Sequence, residues 1–110
     1  MKSTRALSIR QPFAEQILRG KKKIEYRSRP SNIRERVYVY ATLRPGDPAE
    51  FAEARLNADE LPRGVLVGTV EVFDCTPYGG QYQWYLRKPE RLARPLKPRN
   101  QPQPVWFKPF

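Results

Sequence analysis

Three consecutive lysines, Lys21-Lys22-Lys23, stand just ahead of Glu25 and Arg27. Crowded ammonium groups disfavour one another's charge, so one lysine of such a run could act as nucleophile or base near neutral pH. The plainer reading, which the sequence favours, is that three lysines past a helix end complement its dipole and face solvent. A second carboxylate, Glu71, sits in a β-branched run, where a charge is disfavoured unless it meets a cation or opens into a cleft. If Glu71 approaches Lys22, the pair could do acid–base or nucleophilic chemistry; if it meets an arginine, the pair is structural. These two readings weigh equally. A third cluster sets Tyr82, Trp84 and Tyr85 beside Arg87 and Lys88. Aromatic faces next to cations suit base stacking and phosphate contacts, although Trp84, with Leu86, fits a core better and the tyrosines less so.

What is missing narrows the chemistry further. The 110 residues contain no histidine, which removes a Ser-His-Asp triad, a His-paired cysteine and a histidine-liganded zinc. The single cysteine, Cys75, closes an apolar run and reads as buried filler; it also excludes an internal disulfide. No metal or cofactor is expected. No apolar run approaches the roughly 20 residues of a membrane span, so a cytoplasmic protein without membrane contact is expected, and a monomer.

The net charge of +10 is unevenly distributed: residues 1–36 carry +8, residues 37–76 carry −4 and residues 77–110 carry +6. Basic ends that meet in space would make one positive surface, suited to a polyanion, of which nucleic acid is the usual one. The bland alternative is a solvated surface that keeps the chain soluble.

The elements that must position these side chains are legible from patterning. Ala6 to Gln11 reads as a short strand, and Pro12 opens a helix. Phe13 and Ile17, with Ala14 and Leu18, form its apolar stripe; Glu15 and Arg19 complement its dipole, and Gly20 stops it. From Lys23 the pattern alternates as a strand, with Lys23, Glu25 and Arg27 on one face and Ile24 and Tyr26 on the other. Arg36 to Thr42 is a β-branched and aromatic strand. Asp47-Pro48-Ala49-Glu50 starts a second helix, expected to run to Leu56. Val65 to Cys75 is the longest strand pattern, and Gly68 within it signals a bulge or close approach. Residues 87–104, rich in Pro, Arg and Lys, read as an extended wrapping loop, and Val105-Trp106-Phe107 as a closing edge strand. Residues 1–110 thus form one domain.

Taken in order, Ala6-Leu7-Ser8-Ile9-Arg10-Gln11-Pro12-Phe13-Ala14, then Ile17-Leu18, Gly20-Lys21-Lys22 and Ile24-Glu25 with Arg27, closely resemble the opening signature of ASCH domains, members of the PUA-like superfamily. Arg63 to Glu71 resembles the family's second block, and Tyr82, Trp84, Leu86 and Pro89 resemble a later segment. The resemblance implies an α+β fold: a small, partly open PUA-like β-barrel of about five to six mixed strands with two or three short helices. It also implies binding of RNA or a modified nucleoside in a basic cleft. Lys22, Glu25, Arg27 and Glu71 would line that cleft, with Ser8, Arg10 and Gln11 along its wall. Lys21, Lys23, Tyr82, Arg87 and Lys88 would make further ligand contacts. Some bacterial relatives deacylate 4-acetylcytidine without a metal, using a lysine, a threonine and a glutamate. Lys22 matches the lysine and Glu71 the glutamate, but Glu25 stands where those enzymes have threonine. Lys22, Glu25 and Glu71 would be the catalytic set if the chain were an enzyme; a ribonuclease or a protein-docking module are the further alternatives.

Overall fold

The computed structural model describes residues 4–110. In chain order the elements are β1 (Ala6–Ile9), α1 (Phe13–Leu18), β2 (Ile24–Arg27), β3 (Arg36–Ala41), α2 (Pro48–Ala54), a 3-10 turn (Ala58–Glu60), β4 (Val65–Tyr78), β5 (Gln81–Leu96) and β6 (Trp106–Phe107). The strands form one mixed sheet in the order β2-β5-β4-β3-β1-β6. Only β1 and β3 run parallel, Ala6 opposite Tyr38 and Ile9 opposite Ala41; the remaining pairs are antiparallel.

The core follows the predicted stripes. Ala14 and Ile17 of α1 are buried, with Phe13 and Leu18 packed beside them against Val37, Val39 and Ala41 of β3 and Val70 and Val72 of β4. Full burial of each such aliphatic side chain stabilises the fold by roughly 1.5–3 kcal/mol. Trp84 is 2% exposed and stacks on Trp106, ring centroids 5.7 Å apart, so the indole belongs to the core. Gly68 lies under α1: a Cβ there would meet the Leu18 side chain and stand 2.5 Å from the Glu90 carbonyl. The register also shifts beside it, between Leu66 and Gly68, as the glycine signalled.

Pro12 directly precedes α1 and supplies no side-chain cap. Gln11, 1% exposed, does that work: its amide oxygen accepts the Glu15 N–H at 3.0 Å, and its amide nitrogen donates to the Pro62 carbonyl at 3.0 Å. Gly20, at φ +75°, ends the helix. The second helix begins with the predicted capping box between Asp47 and Glu50 but ends at Ala54, where Arg55 turns left-handed at φ 58°.

Two expectations are corrected. The sheet is open rather than closed into a barrel, with β2 and β6 at its edges. Both edge strands are short, and side chains rather than a backbone ladder span the gap: Arg27 Nη2 donates to the Ser8 carbonyl of β1 at 2.9 Å. Residues 87–104 are not one wrapping loop either, because β5 continues to Leu96 and only the remainder is irregular. Pro89 and Pro95 are tolerated because the β2 side is bonded only along Tyr82–Leu86, leaving β5 beyond it paired on its β4 side alone. The register shifts by the bulge at Lys88, φ 52°, which Arg36 fixes by donating from Nη1 to Thr69 Oγ1 and from Nη2 to the Lys88 carbonyl, each at 2.9 Å.

Candidate nucleic-acid interface

The face of β2 that carries Glu25 and Arg27 is turned inward. The Glu25 and Arg27 side chains are 12% and 21% exposed, whereas Tyr26 between them is 46% exposed. This orientation is possible because the charges satisfy one another. Glu25 Oε2 accepts from Arg27 Nε at 2.6 Å, and Glu25 Oε1 meets Lys22 Nζ at 3.3 Å. Lys22 also donates to the Ile24 carbonyl at 2.8 Å, with its ammonium 5.2 Å from the Phe13 ring centroid and 5.7 Å from that of Tyr26. Arg27 lies 5.6 Å over the Trp84 ring while reaching the Ser8 carbonyl. One largely shielded carboxylate therefore organises two cations, and each cation is braced by an aromatic face and a backbone oxygen.

Glu25 and Arg27 floor a cleft of about 370 Å³, walled by Ser8, Arg10, Phe13, Tyr26, Thr42 and Val105. Ser8, in β1, anchors the far wall: its N–H donates to the Val105 carbonyl at 2.9 Å and its Oγ to the Gln103 carbonyl at 2.7 Å. Arg10 is held over the Phe13 ring at 5.0 Å by a fork to Glu50, with Nη2–Oε2 at 2.8 Å. The hydrogen bond to Glu50 raises the Arg10 pKa above its ordinary value against the opposing effect of burial, and lowers that of Glu50. A neighbouring depression of about 410 Å³ shares Ser8, Arg10 and Thr42 with the cleft and adds Arg44.

The predicted site residues thus divide. Ser8, Arg10, Lys22, Glu25 and Arg27 come together; Lys21 and Lys23 line an adjoining depression with Phe13 and Tyr26. Glu71 does not join Lys22. It accepts from Arg87 Nε at 2.6 Å, a hydrogen bond that holds its carboxyl below the ordinary range, and Arg87 stacks 4.4 Å over Phe73. Gln11 is used inside the fold, and Tyr82 packs, half-buried, against the core. Arg87 and Lys88 border a separate cavity with Lys22 and Lys23.

Sequence reasoning missed Phe13, Tyr26 and Thr42 as cleft walls and misjudged Glu15. The last is 5% exposed, accepts two hydrogen bonds from Arg91 at 3.0 and 2.8 Å, and a third from Arg19 at 2.7 Å. The i, i+4 spacing of Glu15 and Arg19 could have pointed to half of this cluster; nothing local points to Arg91. Among the described residues no group of His, Cys, Asp or Glu is arranged to hold a metal ion, and no helix is long and apolar enough to cross a membrane.

A sequence model of the ASCH domain matches residues 7–103. The chain belongs to the ASCH-domain family. This ASCH domain is 31% identical over 80 residues to activating signal cointegrator 1 of Homo sapiens, and equally to that of Mus musculus. The matched part is 63% of this chain but only 14% of those much longer proteins. Its fold is that of the ASCH protein from Zymomonas mobilis, with a TM-score of 0.66 and 16% identity over 94% of this chain and 85% of that one. A mutant form of the same protein gives 0.66 and 17% identity, covering 97% and 90%. At these identities the structural likeness speaks for the fold, which is PUA-like.

Proposed function

We propose that this ASCH domain binds single-stranded RNA and holds one nucleoside in the cleft between β1 and β2. The observation that carries this reading is the inward-facing Glu25–Arg27 pair at the floor of a cavity rimmed by aromatic rings and Arg10. A cavity of that size is at the small end of ligand pockets and suits a single base with part of its sugar. A carboxylate has about four lone-pair positions, so Glu25 can bond Lys22 and Arg27 and still accept from an exocyclic amine. Arg27 uses Nε and Nη2 within the fold among the described residues, and Nη1 remains to donate to a base carbonyl. Acceptor and donor side by side match the paired donor and acceptor of a base edge, while the exposed Tyr26 ring offers a face for stacking. Arg10 and Arg44 stand where the strand would leave the cleft, placed for phosphates.

Deacylation of an acylated cytidine is less well supported by the same geometry. The Lys22 ammonium is held by the Ile24 carbonyl and Glu25, and Glu71 is held by Arg87 rather than turned towards Lys22. Held in this way, Lys22 is better placed to orient a ligand than to attack one.

The test is fluorescence anisotropy of a labelled single-stranded RNA across a salt series. Each phosphate contact on a single strand contributes a log–log slope of about −0.7, so three contacts weaken binding about 20-fold between 50 and 200 mM salt. Affinity indifferent to salt would contradict the phosphate contacts.

A further inference from the structure

A cavity of about 530 Å³ opens where the end of α1 and the start of β2 meet the β4–β5 hairpin. Its floor is apolar, with Ile17, Val70 and Leu86, and its walls include Phe73 and Tyr85, whose ring centroids lie 6.1 Å apart. Phe73 is 38% exposed although it is a large apolar side chain, and the Arg87 guanidinium covers it at 4.4 Å. Among the described residues the rim carries Lys22, Lys23, Arg87 and Lys88 and no carboxylate, Lys22 and Arg87 being paired behind it with Glu25 and Glu71. The bulge that shapes it is fixed by the two Arg36 hydrogen bonds, so the cavity is built into the sheet.

An apolar floor alone would accept many partners; the rim restricts them to an anion with a flat or greasy body. The position restricts them further. The depression of Phe13, Lys21, Lys22, Lys23 and Tyr26 shares Phe13 and Tyr26 with the Glu25–Arg27 cleft and Lys22, Lys23 and Ile24 with this cavity. Cleft, lysine run and cavity therefore adjoin one another through shared walls that carry both aromatic rings and cations, the side-chain types of a single-stranded nucleic-acid site. We propose that the cavity is a second base site, taking another nucleotide of the strand whose first base sits in the cleft, with Lys21–Lys23 carrying the phosphates between them. The inference rests on the reading of the cleft as an RNA site, and adds a footprint longer than one nucleotide.

The experiment compares a single-stranded RNA hexanucleotide with a nucleoside 5′-monophosphate on the wild-type protein, Phe73→Ala and Lys88→Glu. Both side chains reach solvent, so the variants should keep the fold, checked by their urea midpoints. Loss of one stacking face is expected to weaken the hexanucleotide about tenfold, within the range for base–aromatic stacking, and to leave the monophosphate unchanged. Equal hexanucleotide affinity in all three folded proteins would overturn the second site and leave the cleft reading standing. A wild-type protein that binds neither probe would overturn both. An apolar fluorescent sulfonate that stays bound to the wild-type cavity under saturating hexanucleotide would also overturn the second site, marking it as a place for a different anion.

Discussion

Glu15→Ala should cost about 3 kcal/mol of unfolding free energy at neutral pH, within the range for breaking a buried ion pair. The carboxylate is almost fully buried and accepts from Arg91 and Arg19, tying α1 to the distal half of β5. Charge-assisted hydrogen bonds are worth about 1.5–3 kcal/mol each. The sum is not realised in full because both arginines are roughly half-exposed and regain water when the carboxylate is removed. Burial pushes the Glu15 pKa up, but the hydrogen bonds from Arg91 and Arg19 outweigh it and hold the carboxyl below the ordinary range. A folded-state pKa below the unfolded one gives stability that is full above the unfolded value, about 4.3, and lost as pH falls through the folded value. The gap between wild type and Glu15→Gln should therefore be wide at pH 7 and narrow at low pH. Glu50 and Glu71 are also held low by their arginines, but they are present in both proteins and cancel. Urea unfolding at the two pH values measures this; a gap that does not change with pH would show that the Glu15 charge contributes nothing.

The second large effect concerns Arg27→Lys, which keeps the charge and removes the fork. Arg27 donates to Glu25 from one nitrogen and to the Ser8 carbonyl from another, while its plane covers Trp84. An ammonium on a flexible stem cannot do all three. The cleft floor should lose its fixed donor and the strap from β2 to β1, so RNA affinity should fall at least about tenfold. The loss of fold stability should be smaller than for Glu15→Ala, about 1–2 kcal/mol, because the Trp84–Trp106 stack remains. Anisotropy and urea unfolding on the same samples separate the two effects. A destabilised protein with unchanged affinity would make Arg27 a strap and nothing more.

How far the sequence carries is clearest at β2. Its alternation was legible, but periodicity left open which side the charges face; only the family resemblance set Glu25 and Arg27 in a cleft. Periodicity reports that two faces differ; the usual inference that the charged one is wet fails when Glu25, Arg27 and Lys22 neutralise one another around Trp84. The α1 signals were local and survived: an apolar stripe and a stopping glycine depend on neighbours within one turn. Glu71 is the opposite case. Its need for a cation could be read from its surroundings, but the partner is the cross-strand Arg87, set by a hairpin register that shifts between Val72 and Asp74. The length of β5 was obscured by Pro89 and Pro95, which act as breakers only where both sides of a strand must be hydrogen-bonded. The barrel expectation was sound in strand content and overshot in closure, since a two-residue β6 offers too little backbone to pair with β2.

The central claim is the location of the ligand, and an NMR titration of the 15N-labelled domain with a nucleoside 5′-monophosphate tests it most directly. The account predicts that the largest shifts fall on the backbone amides of Ser8, Arg10, Glu25, Tyr26, Arg27 and Thr42, which surround the cleft. Shifts that spare these residues while the nucleotide binds elsewhere on the basic surface would contradict it.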